Sequence, residues 1–180
     1  MATTELGPRA SEILAAAREL LEQEGAEALS MRRIASKVGI QAPSIYKHFA
    51  DKAALENALI SSLFEEQAER FEAAVASSDD PIGAIAAAYR EFATDHPHLY
   101  RLMTERWLDR ENLTRGAEER AARPVVEAFG GDPDLARAAW AFAHGMTILE
   151  LNDRFPPDAD LDAAWRRGLD GLRAVRDGSA

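Results

Sequence analysis

Apolar residues recur along this chain three and four positions apart, the spacing of one helix face, and nowhere alternate long enough to read as a strand. Ile13, Leu14, Ala17, Leu20 and Leu21 form one such stripe and predict a first helix from about Pro8 to Glu24, with Gly25 as its stop. Met31, Ile34, Ala35 and Val38 form the next, opened by Ser30 as an N-cap and closed by Gly39. A third helix is predicted from Ala42 to Phe49. A fourth, capped by Asp51, carries Leu55, Leu59, Leu63, Phe64 and Phe71 to about Ala76. Beyond "SSDDP" the punctuation is an aspartate or loop residue followed by proline at the first helical position: Asp80-Pro81, His96-Pro97, Asp132-Pro133. It places the later helices near 81–94, 97–109, 115–129, 133–153 and 160–176. The expected fold is all-α, with about nine helices.

Composition narrows the function classes. The chain has 180 residues, 47% of them hydrophobic, enough for a real core. It has no cysteine, which removes disulfides, thiolate nucleophiles and Cys-ligated zinc. No apolar run approaches the roughly 20 residues of a membrane span, and no basic segment followed by an apolar one marks a signal peptide. A cytoplasmic protein without membrane association is expected. No phosphate-binding loop or nucleophile elbow is present, and His96 and His98 lack a carboxylate pair to complete a metal site. An enzyme, a resident cofactor and a metal are therefore not expected.

Charge changes the picture most. The net charge is −10, yet residues 30–52 hold Arg32, Arg33, Lys37, Lys47 and Lys52 against Asp51 alone. Two short helices joined by "GIQ" make a helix-turn-helix shape. Arg32 and Arg33 sit in the first turn of the second helix, where cations oppose the helix dipole unless an anion docks. With Ile45 facing inward, Ala42 and Phe49 share its side of the third helix. Pro43, Ser44 and Lys47 then point outward, with Gln41, Tyr46 and His48 at the flanks. Those are groups suited to phosphates and base edges in a major groove.

The stretch "SMRRIASKVGIQAPSIYKHFADKAAL" closely resembles the DNA-binding domain of the TetR (tetracycline repressor-like) family, and with the first helix the resemblance covers about residues 8–56. It implies a homodimer that binds a palindromic double-stranded DNA operator and is released by a small molecule held in the C-terminal domain. Carried over by position, the DNA contacts are Arg32, Gln41, Ala42, Pro43, Ser44, Tyr46, Lys47, His48 and Lys52. Met31 stands where a hydroxyl often meets phosphate, so either Ser30 serves instead or that contact is lost. A second match, "AAWAFAHGMTILEL", resembles the tryptophan–histidine–glycine signature of one C-terminal subclass through Trp140, His144 and Gly145. The implied division is a DNA-binding domain at 1–56 and an effector-binding and dimerisation domain at 57–180.

For the effector, expected to be small and largely apolar, Tyr100, Met103 and Trp107 are spaced to share a helix face. Phe142 and Met146, or Trp140 and His144 on a different face, are the candidates from the eighth helix. Trp165, Leu169 and Leu172 make a stripe near the chain end with nothing after it to cover it; such a helix can pack on its own domain or pair with a second copy, and the resemblance favours the second, with the last two helices as the dimer surface. The function expected is that of a ligand-responsive transcriptional regulator, in the repressor mode. The rival readings are an enzyme using the helical cavity and a small-molecule-binding protein without DNA binding.

Overall fold

The computed structural model describes residues 6–178. Among them the chain forms nine α-helices, two single 3₁₀ turns and no strand. The helices are α1 (Pro8–Glu24), α2 (Met31–Lys37), α3 (Ala42–Ile45), α4 (Lys52–Ala76), α5 (Pro81–Asp95), α6 (Pro97–Glu105), α7 (Ala117–Ala128), α8 (Pro133–Leu151) and α9 (Leu161–Arg176). Their ends follow local chemistry. Side-chain oxygens of Ser30, Asp51, Asp80, Asp132 and Asp160 accept backbone N–H groups of the following first turns, at 2.8–3.3 Å.

The chain divides into two compact units. The first comprises the residues up to Glu65 together with His96–Glu118. Its core holds Ile13, Leu21, Ile34, Ile45, Leu55 and Leu99, each at most 1% exposed. Here α6 packs on α1 through the two histidines beside Pro97. His96 Nδ1 contacts the Glu22 carboxylate. The His98 ring lies over Gly25, whose φ of +78° ends α1; an added Cβ there would come within 3.1 Å of the imidazole.

The second unit comprises Glu66–Asp95 and the residues from Glu119 onward. Ile82, Ala86, Phe129, Ala139, Trp165 and Leu169 form its buried cluster. Arg90 of α5 ties α8 and α9 together: it donates two bonds to Glu150 (2.8 and 2.7 Å) and one to Asp162 (2.6 Å), with its guanidinium over the Trp165 ring. Gly168 lets α9 approach α8 closely, since an added Cβ would come within 2.2 Å of the Phe142 ring.

Hydrogen bonding and charge from Arg90 hold the Asp162 carboxyl below its usual range. Burial pushes Asp80 up, but the Gly83 N–H and the Arg173 guanidinium outweigh it and leave its carboxyl lowered too. A depressed carboxyl contributes stability above its unfolded pKa and loses it as pH falls through the folded value. Acid melts of the second unit should therefore lose stability below about pH 4, near the ordinary carboxylate pKa. Asp162→Asn should flatten that loss while lowering stability at pH 7; an unchanged acid profile in this variant would refute the assignment.

Two elements differ from the sequence reading. Helix α3 stops at Ile45 rather than Phe49, and residues 46–48 form a turn. The backbone there bonds one residue shorter, as in His48 N–H to Ile45 C=O at 2.8 Å, the tightening common at helix ends. Helix α6 stops at Glu105 rather than residue 109. Asp109 starts a 3₁₀ turn in which its side chain accepts from the Asn112 amide at 2.9 Å, and such local bonds compete with a helix.

Candidate nucleic-acid interface

Helices α2 and α3 pack against each other across the turn at Gly39, whose φ of +68° only glycine adopts without strain. Met31, Ile34 and Ala35 hold α2 in the core; Ile45 and Phe49 do the same for the segment after it. That anchoring sets the phase of everything between them. Gln41, Pro43, Tyr46, Lys47 and His48 all face solvent, Tyr46 at 53% exposure, while Ala42 and Ser44 are half-buried. An exposed phenol, ammonium and imidazole in a row, on a segment fixed from behind, form a surface rather than a core.

The cations separate into two groups. Lys37 Nζ pairs with Glu19 of α1 at 2.8 Å, and Arg33 pairs with Glu24 at 2.6 Å, so both are turned toward α1. The Glu19 carboxyl is lowered below its usual range, with the Lys37 hydrogen bond the largest cause. Arg32 and Lys47 are exposed and make no ion pair among the described residues. Lys52 opens α4 and lies 3.5 Å from Glu56. Ser30 spends its hydroxyl oxygen on the Arg33 N–H at 3.3 Å.

Residues 13–59 match the family of bacterial regulatory proteins named for tetR, and residues 82–172 match the tetracyclin repressor-like C-terminal domain. The chain belongs to the TetR family. An uncharacterised HTH-type transcriptional regulator of Mycobacterium tuberculosis is 28% identical over 163 residues, 85% of this chain and 74% of that protein. Two further curated relatives have 53% and 59% of their length covered by the chain. Among solved structures, a protein of unknown function from Rhodococcus sp. RHA1 superposes with a TM-score of 0.75 at 26% identity, covering 96% of this chain and 97% of that one. The multidrug binding protein EbrR, solved in complex with imidazole, gives a TM-score of 0.69 at 27% identity over 92% of this chain and 95% of that one. In this TetR-family chain, then, the α2–α3 pair is the helix-turn-helix of a transcriptional regulator.

The residues expected to meet an effector are divided between the two units. Tyr100 and Met103 are buried in the first unit, at 0% and 7% exposure. Trp107 lies past the end of α6 and is 90% exposed, so the face it was expected to share with them does not exist. Phe142 and Met146 pack on the second unit's core. Trp140 stacks on His144 with ring centroids 5.9 Å apart and is 52% exposed, on a different face of α8. An open groove of about 610 Å³ on the second unit, lined by Val75, Ala76, Pro81, Pro124 and Ala128 among others, includes none of the seven.

Sequence reasoning missed three buried polar groups in the second unit. The Gln67 Oε1, Arg70 Nε and Thr147 Oγ1 atoms are buried without a hydrogen-bond partner among the described residues. Arg70 also lies over the Phe92 ring at 5.2 Å. A polar residue interrupting an apolar stripe, as Gln67 and Arg70 do between Phe64 and Phe71, was the available clue. The expected dimer stripe is also corrected. Trp165 and Leu169 are 5% and 9% exposed and sit inside their own unit, with Leu172 packed against that cluster. The large apolar side chains that α8 and α9 leave exposed are Trp140, Leu149 and Val175.

Proposed function

We propose that this regulator is a repressor that binds a palindromic operator as a homodimer, reading DNA with residues 1–56 and binding its effector and its second copy with residues 57–180. The observation that carries the reading is the outward row Tyr46, Lys47 and His48 on a segment anchored by Ile45 and Phe49. Gln41, Ala42, Pro43 and Ser44 supply the groove-facing side chains, and Arg32 and Lys52 meet phosphates. Ser30 and Arg33 serve chiefly to shape the α2 terminus, given the partners they already hold. The family's setting makes the cytoplasm its place of work. Trp140, His144 and Gly145 support membership of the tryptophan–histidine–glycine C-terminal subclass.

A gel-shift with DNA from beside its own gene tests this reading. Lys47→Ala should weaken binding severalfold with no change in melting temperature, since this side chain is exposed. Lys37→Ala, whose ammonium is turned to Glu19, should bind nearly as the wild type does. Equal losses in both variants would contradict the assigned interface.

The effector we propose is small and largely apolar, with a polar group for Gln67, Arg70 and Thr147 to satisfy. The name and bound imidazole of EbrR support a broad-binding site of this kind. For the dimer, Trp140, Leu149 and Val175 are the proposed contact, because a two-fold interface needs apolar groups left exposed by the single chain. Trp140→Glu should give a monomer by sedimentation while keeping its helical spectrum. A dimer that survives this change would place the interface elsewhere.

A further inference from the structure

Two carboxylates of α1 each hold one cation of the basic surface at close range. Arg33 Nη2 donates to Glu24 Oε1 at 2.6 Å, and Lys37 Nζ lies 2.8 Å from Glu19 Oε1, both as short as formed charge-assisted bonds. Gln23 donates its amide to the same Glu19 oxygen at 3.2 Å. Helix stability does not explain the Arg33 pair. Glu24 is the last residue of α1 and Arg33 stands in the first turn of α2, so each opposes its own helix dipole. Folding gains little from either pair, because the four side chains are 29–53% exposed and ion pairs in water contribute weakly.

Arg33 and Lys37 are four residues apart and share the side of α2 turned to α1. Arg33 adjoins Arg32, and from Arg32 to Lys37 the helix advances only about 7.5 Å, less than the Debye length of about 10 Å at 0.1 M salt. A released charge at either position is therefore felt by the phosphates that Arg32 meets. We propose that Glu19 and Glu24 compete with the DNA backbone for two of the five cations in residues 30–52, and so restrain the sequence-independent affinity of this surface. Phosphate contacts carry no base information, and random sites far outnumber an operator, so a surface with every cation free is held on random DNA. The two carboxylates act here as positioning residues, and the inference rests on the reading that this surface meets DNA.

The test measures affinity for one random-sequence DNA duplex against salt, because non-specific binding reports phosphate contacts without needing the operator. Glu19→Gln/Glu24→Gln should bind roughly twofold to fivefold more tightly per released cation, the range of an exposed ion pair. Its log–log salt slope should be steeper by about 0.9 for each cation that reaches a phosphate. The deciding arm is Lys37→Ala. It should change little in the wild type, where the ammonium is held, and should remove the whole gain of Glu19→Gln. Glu19 is 53% exposed, so that single change opens no cavity and keeps the test sharp if the double variant folds poorly. Unchanged or weaker binding by Glu19→Gln, as expected if the pair only braces α1 on α2, would overturn the competition. Equal losses from Lys37→Ala in both backgrounds, as expected if net charge alone matters, would overturn it too. A wild-type protein that does not bind the duplex would instead overturn the DNA reading on which the proposal stands.

Discussion

Trp165→Ala should destabilise the second unit by about 3–5 kcal/mol, the usual cost of truncating a core tryptophan. The ring is 5% exposed, packs edge-on against Phe142 with centroids 5.5 Å apart, and lies under the Arg90 guanidinium. Its loss opens a cavity among Ile82, Phe129 and Leu169 and removes one wall of the Arg90 clamp on Glu150 and Asp162. Trp107→Ala is the matched control. That ring is 90% exposed, so truncation should stay within about 0.5 kcal/mol of wild type. Chemical denaturation followed by circular dichroism measures both. Equal costs at the two positions would contradict the placement of these side chains.

The second large effect separates the two faces of the helix-turn-helix. Ile45 is 0% exposed and holds α3 against the first unit. Ile45→Ala should cost about 2–5 kcal/mol and take DNA binding with it, because the outward row loses its anchor. Lys47→Ala, two residues on, should do the reverse, losing affinity at full stability. Melting curves and binding isotherms on the two variants read this directly. A stable Ile45→Ala protein with normal binding would show that the segment is not fixed from behind.

The architecture was legible because helix ends in this chain are written in side chains. Proline follows a loop residue at Pro81, Pro97 and Pro133, and Asp80 and Asp132 each cap the first turn through a hydrogen bond. The phase of α3 was legible for a related reason: Ile45 and Phe49 are the large apolar residues available to turn inward, and burial follows them. Pairwise partners were not legible. Nothing in the local pattern says that Arg33 reaches back to Glu24 or that Lys37 reaches Glu19, since such pairs depend on how α1 and α2 cross.

The same limit explains the effector and dimer residues. Periodicity assigns a residue to a helix face only while the helix lasts, and α6 ends before Trp107. Periodicity also cannot say which neighbour covers a stripe. The Trp165–Leu169 stripe looked uncovered at the chain end, but helices α5 and α8 supply Ile82, Ala86 and Ala139 to bury it. The unpartnered atoms of Gln67, Arg70 and Thr147 are visible only once the surrounding donors and acceptors are in place.

The central claim is that a compact basic surface in an acidic chain is an interface for DNA. Its most direct test is the salt dependence of binding by the unmodified protein. Neutralising six to ten phosphates should lower affinity by about 10³–10⁵ between roughly 50 and 200 mM salt, a steep line on logarithmic axes. A flat line over that range would contradict the account, since a chain of net charge −10 has no other evident means of holding a polyanion.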